Sequence, residues 1–119
     1  CSVIKIDVEG MEPGVLEGAK RLIERCQPVL YVELGGKENT KRIAEILASQ
    51  GYSACWSFHP YFDERNYYSN PVNVWPNVVW SSNLICFPRK MEMEIPTTQK
   101  FLGESDSWQD CLRRMKAAA

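Results

Sequence analysis

A chain of 119 residues is sized for one domain, and 45% apolar with 24% charged residues is a balance that builds a globular core rather than a disordered coil. A net charge of −1 with no basic run disfavours nucleic acid and anionic membrane surfaces as partners. No apolar run approaches the roughly 20 residues of a membrane span, and the opening residues lack a signal-peptide layout, so the expected compartment is the cytoplasm.

The chain opens on "SVIKIDV", residues 2–8, a β-branched run in the style of a central strand. Pro13 suits the first turn of a helix, and Val15, Leu16, Ala19, Leu22, Ile23 and Cys26 follow at helical spacing until Pro28. Gly14 and Gly18 weaken that helix by roughly 1 kcal/mol each relative to Ala, which predicts close packing there. "VLYVEL", residues 29–34, is a second buried strand, and Gly35 and Gly36 make the turn after it. Asn39 or Thr40 is the expected cap of a second helix carrying Ile43, Ile46 and Leu47, which Gly51 closes.

"YSACWSF", residues 52–58, reads as a third strand, followed by a long aromatic and Asn-rich loop from His59 to Asn77. "VVWSSNLICFP", residues 78–88, reads as the last strand. Alternating strands and helices build a mostly parallel sheet, and the last two strands, with no helix between them, are expected to pair antiparallel. Residues 1–90 form the expected domain. Residues 91–119 form a polar linker and a short helix capped at Ser105 or Ser107, with Trp108, Leu112 and Met115 on one face. Five scattered cysteines without CxxC or paired His argue against a thiolate zinc site and a full disulfide framework, and predict mostly reduced, buried thiols.

Three acids crowd the exit of the first strand, Asp7, Glu9 and Glu12, and Glu33 stands at the exit of the second. Ligands of an open parallel sheet bind beyond the carboxyl ends of its strands, and neighbouring strands lie about 4.8 Å apart. Asp7, Glu9 and Glu33 are therefore expected to share one pocket, with Asp7 and Glu9 on one side if the strand runs through both. Converging carboxylates raise one another's pKa or recruit a cation. Glu12, by contrast, sits where a helix N-terminus favours a carboxylate by about 0.3–1 kcal/mol without any function.

"IKIDVEGMEPGVLEGAKRLIERCQPVLYVEL" resembles the central signature of the FkbM-type methyltransferases. Ile6, Asp7, Val8, Glu9, Gly10, Glu12, Leu16, Gly18, Ala19, Pro28 and Glu33 carry it in order, and "SSNLICFPR", residues 81–89, is similar to the family's closing strand. The resemblance implies S-adenosylmethionine as cofactor and an α/β fold: the second half of a Rossmann-like class I methyltransferase sheet, mostly parallel with an antiparallel last strand. In that fold the signature strand is the fourth of seven, and the glycine-rich cofactor loop and ribose-binding acid come earlier. No such glycine run occurs in these residues, and the first residue is Cys rather than Met. The expectation is a carboxyl-terminal half of a methyltransferase domain, able to self-associate or to pair with the preceding half.

In that chemistry Asp7 is the leading candidate as a base or a metal ligand and the candidate cofactor-binding residue, and Glu9 assists, orients its partner or contacts the positively charged end of the donor. Glu33, His59 and Asn83 are the candidate acceptor-binding residues. A divalent metal is a further candidate cofactor, with no ligand set assigned. Trp56, Phe58, Tyr61, Phe62, Tyr67, Tyr68 and Trp75, beside Asn66, Asn70 and Asn73, suit a small-molecule acceptor such as a sugar or another hydroxylated compound. Two alternatives stand beside this reading: a divalent-metal-dependent hydrolase or phosphoryl-transfer enzyme using Asp7, Glu9 and Glu33, and a non-catalytic α/β interaction module. The first lacks a phosphate-cradling loop.

Overall fold

The computed structural model describes residues 1–34, 36–75, 80–91 and 93–118, with the backbone alone for Lys37. Its four strands, β1 (Val3–Ile6), β2 (Val29–Glu33), β3 (Tyr52–Pro60) and β4 (Trp80–Pro88), form one sheet in the order β1-β2-β4-β3. β1 and β2 pair parallel with Val3 opposite Val29, and β4 runs antiparallel to both β2 and β3. β1, β2 and β3 thus point one way, with β4 inserted against them. The antiparallel pairing of the last two strands is as expected, although β3 extends to Pro60. Val78 and Val79, taken as the start of the last strand, and Gly35, placed in the turn, lie outside the described residues.

Period-two alternation sends one set of side chains from every strand to a single buried face. Ile6, Leu30, Val32, Tyr52, Ala54, Trp56, Leu84 and Cys86 meet Leu16, Ile23, Ile43, Leu47 and Cys111 of the helices there in one core. The opposite face carries Lys5, Tyr31, Ile85, Cys55 and Ser57, none of them fully buried. All five cysteines are unpaired; Cys86 and Cys111 are buried, Cys26 and Cys55 half-buried, and Cys1 is exposed.

The first helical arm is two segments, α1 (Glu12–Gly18) and α2 (Lys20–Cys26), rather than one. The backbone hydrogen bonds run on through Ala19, so the break is a wrinkle next to Gly18, a weak helix former. Nothing lies within 4 Å of a Cβ built at Gly14 or Gly18, so the expected close packing is absent. α3 (Lys37–Ser49) starts earlier than expected. Gly36 occupies the cap position, and the Thr40 backbone N–H and hydroxyl both donate to its carbonyl, at 3.1 and 2.9 Å. Thr40 and Asn39 are inside the first turn. Gly51, with φ 72°, ends this helix as expected.

Beyond Pro88 the chain returns to the sheet. Trp56 N–H donates to the Gln99 carbonyl and Phe101 N–H to that of Ala54, which covers the outer edge of β3. α4 (Trp108–Ala117) begins at Ser107, whose hydroxyl accepts the Asp110 N–H as a helix cap should. Its most buried residue is Cys111; Leu112 and Met115 are half-buried and Trp108 is exposed. Among the described residues no helix is long and apolar enough to cross a membrane.

Candidate functional site

β1 ends at Ile6, and Asp7 follows beside Glu33, one step past the Ile6–Val32 pair of the parallel ladder. The two carboxyl groups lie close enough to shift each other's pKa in opposite directions. Lys5 Nζ donates to Asp7 Oδ2 at 2.8 Å, and this bond, helped by Glu33, holds the Asp7 carboxyl below its usual range. Asp7 in turn pushes Glu33 up, with partial burial adding to the shift. The two carboxyls therefore titrate as neighbours, with Asp7 the more acidic of the two.

Asn83 and Ser81 extend this pair onto β4. Glu33 faces Asn83 across the β2–β4 ladder. Ser81 Oγ lies 3.4 Å from Glu33 Oε1 as a donor, and Asn83 Nδ2 donates to Ser81 Oγ at 2.6 Å. His59 lies opposite Ser81 on β3, with its Nε2 3.1 Å from Ser57 Oγ and its ring 6.2 Å from that of Tyr31. Burial is the main cause that raises the Tyr31 phenol, and the charge of Lys5 opposes it. Asp7, Glu33, Asn83 and His59 thus stand on one face, at the carboxyl rim of β1, β2 and β3.

Glu9 does not join them. Its φ of 46° takes the chain out of strand geometry directly after Val8, so the alternation that would set it beside Asp7 does not apply. Its side chain is exposed, and among the described residues no group of three or more His, Cys, Asp or Glu is arranged to hold a metal ion. The expected convergence of three carboxylates reduces to the Asp7–Glu33 pair.

The turn after Asp7 is fixed by Glu12 and Asn39. Glu12 is 1% exposed; its Oε1 accepts the Gly10 N–H at 2.9 Å, while Asn39 Nδ2 donates to the Gly10 carbonyl at 2.8 Å and to Glu12 Oε2 at 3.3 Å. Gly10, at φ 101°, adopts a conformation that L side chains rarely tolerate. Glu12 is a structural lock, and with it α3 holds the β1 exit in place.

A cavity of about 500 Å3 opens at the same rim, between β4, the N-terminus of α4 and the start of the aromatic loop. Glu33 and Ser81 reach its lining, whereas Asp7, His59 and Asn83 are not part of it. Of the aromatic candidates, Trp56 and Tyr61 line it; Tyr67 and Tyr68 stack edge-to-face on each other in solvent. Asn66 is committed to its own loop, donating to the carbonyls of Asp63 and Asn70 and accepting the Asn70 N–H. Asn70 and Asn73 likewise accept the N–H of Val72 and Trp75. Sequence reasoning missed Lys5, Tyr31, Ser57 and Ser81. Their signal was the strand register, which puts Lys5 opposite Tyr31 and Ser57 opposite Asn83.

Residues 1–54 match the family model of the methyltransferase FkbM domain. The family resemblance read from the sequence is borne out over this segment, which runs from β1 to the start of β3 and contains Asp7, Glu9 and Glu33. His59, Asn83 and "SSNLICFPR" lie beyond it. No curated protein matches the chain, and no solved structure matches it. The FkbM domain match supports an enzyme of the methyltransferase type.

The coupled pair makes a prediction about stability. Glu33 is raised in the folded state, so its favourable contribution is present below its unfolded pKa and is lost as pH rises through the folded value. Glu33→Gln carries no such loss. The urea midpoint of Glu33→Gln minus that of the wild type is expected to increase from pH 4 to pH 8. A difference independent of pH would show that the two carboxyls do not titrate as neighbours.

Proposed function

We propose that the chain forms part of an S-adenosylmethionine-dependent methyltransferase that methylates a hydroxyl of a small polyhydroxylated molecule, such as a sugar. In this reading, residues 1–90 are the carboxyl-terminal half of a Rossmann-like class I domain, and the glycine-rich cofactor loop comes from polypeptide outside these residues. The observation that carries it is the Asp7–Glu33 pair at the rim shared by two parallel strands. The match over residues 1–54 and the antiparallel insertion of β4 support it.

S-adenosylmethionine supplies an electrophilic methyl group on a sulfonium, which leaves with the electron pair of the broken carbon–sulfur bond. The fit of these residues to that cation rests on the ionised carboxylate of Asp7 beside Glu33. Glu33 faces the cavity, and its raised pKa makes it the better proton acceptor of the two. As an acceptor oxygen bonds to the methyl carbon, its proton passes to the Glu33 carboxylate, while the electron pair of the broken carbon–sulfur bond stays on sulfur. Lys5 keeps Asp7 ionised throughout. Ser81 and Asn83 orient the Glu33 carboxylate.

The test uses the product of the complete reading frame, incubated with methyl-labelled S-adenosylmethionine and a panel of sugars and polyols. Transfer of label to an acceptor as an ether is the expected result. Failure of the complete product to bind S-adenosylmethionine would overturn the reading.

A further inference from the structure

The cavity beside Glu33 has walls of unusual composition. Trp56, Tyr61, Trp80 and Trp108 line it together with the acidic residues Glu33, Glu104, Asp106 and Asp110, and among the described residues no lysine, arginine or histidine does. Tyr61, Trp80 and Trp108 are 44%, 40% and 39% exposed, so their rings are accessible to a ligand, while Trp56, at 3%, is a buried part of the wall. The basic partners of three of these acids approach from outside the lining: Lys41 to Glu104 at 3.5 Å, Arg113 to Asp110 at 2.6 Å and Arg114 to Asp106 at 2.8 Å. They moderate the negative potential without entering the cavity.

Aromatic faces attract a cation through the ring quadrupole, and carboxylates around them add to that attraction. Hydroxyls of Ser81, Ser82, Ser105 and Ser107 in the same lining suit a polar, hydroxylated body. At about 500 Å3 the space lies in the usual range for a small ligand. We propose that this cavity binds a hydroxylated small molecule through an ammonium group, as in an amino sugar. That this molecule is the methyl acceptor rests on the reading above; the preference for a cation does not.

Three of the four tryptophans line the cavity, so intrinsic fluorescence reports on it directly. The 119-residue chain is titrated at constant ionic strength with glucosamine, glucose and glucuronate. Glucosamine is expected to bind at least about 10-fold more tightly than glucose, with glucuronate weakest. Trp108→Ala and Glu104→Gln are each expected to weaken glucosamine by about 5-fold, on the scale of an exposed cation–π contact, with far-UV circular dichroism unchanged. Equal affinity for glucose and glucosamine, or no saturable response to glucosamine, overturns the proposal. Competitive displacement of glucosamine by S-adenosylmethionine assigns the cavity to the donor and overturns it as well. Glucosamine binding in a complete protein that transfers no methyl group upholds the cation preference and defeats the methyltransferase reading instead.

Discussion

Asp106→Ala should lower the free energy of unfolding by about 3 kcal/mol, the scale on which removing one partner of a buried ion pair acts. Asp106 is 7% exposed and anchors α4 to the sheet. Arg114 grips both its oxygens, at 2.8 and 3.1 Å, and Trp56 Nε1 and the Leu102 and Ser107 backbone N–H groups donate to it at 2.9, 3.0 and 3.1 Å. Alanine leaves the buried indole N–H without its acceptor and Arg114 without its counter-charge. Asp106→Asn keeps one acceptor oxygen and should cost less than Ala. Burial pushes the Asp106 carboxyl up, but bonds from Arg114, Trp56 and Leu102 outweigh it and hold the group below its usual range. Its stabilisation is therefore present above the unfolded pKa and is lost as pH falls through the folded value. Urea denaturation followed by Trp56 fluorescence and far-UV circular dichroism measures both effects. A loss under about 1 kcal/mol for Asp106→Ala would mean that α4 is held by its apolar side alone.

Why that anchor escaped sequence reading is physical. Trp56 and Asp106 are fifty positions apart, and neither residue advertises the other; the bond exists only because residues 99–101 first pair along β3. Local signals fared better. Apolar runs marked β2 and β3, Pro13 marked the start of α1, Gly51 the end of α3, and Ser107, one of two candidate caps, the start of α4. Where the local rules failed, a tertiary contact or a rare backbone angle had won. Asn39 has the chemistry of a cap but is drawn to Gly10 and Glu12 across the α1–α3 contact. Glu9 sits at positive φ, which a glutamate does not announce, and that turn ends β1 before its acids can line up. The adjacency of Asp7 and Glu33 was legible because it needs only two parallel strands in register. The cavity was not, because its wall joins β4, the aromatic loop and α4, which nothing local brings together.

Asp7→Asn in the complete protein should reduce turnover by up to about 10²-fold, the low end of the range for general acid–base catalysis, because the proton acceptor Glu33 itself remains. Asp7 does not line the cavity, so the loss should come through Glu33. The neutral amide removes the neighbouring carboxylate that pushes Glu33 up. Glu33 then becomes a weaker base, and the acidic limb of the kcat profile should move to lower pH even as its plateau drops. The KM for the acceptor should change little, since Glu33 itself remains in the wall. Lys5→Met provides the contrast. It frees Asp7 from its 2.8 Å ion pair, an exposed contact that contributes little to stability, while leaving both carboxyl groups in place. Turnover that survives Asp7→Asn with an unmoved pH profile would leave Asp7 as the surface partner of Lys5 and nothing more. A lowered kcat with the predicted shift, by contrast, requires two carboxyls that titrate as neighbours at the rim of the sheet. A surface ion pair has no means of producing it.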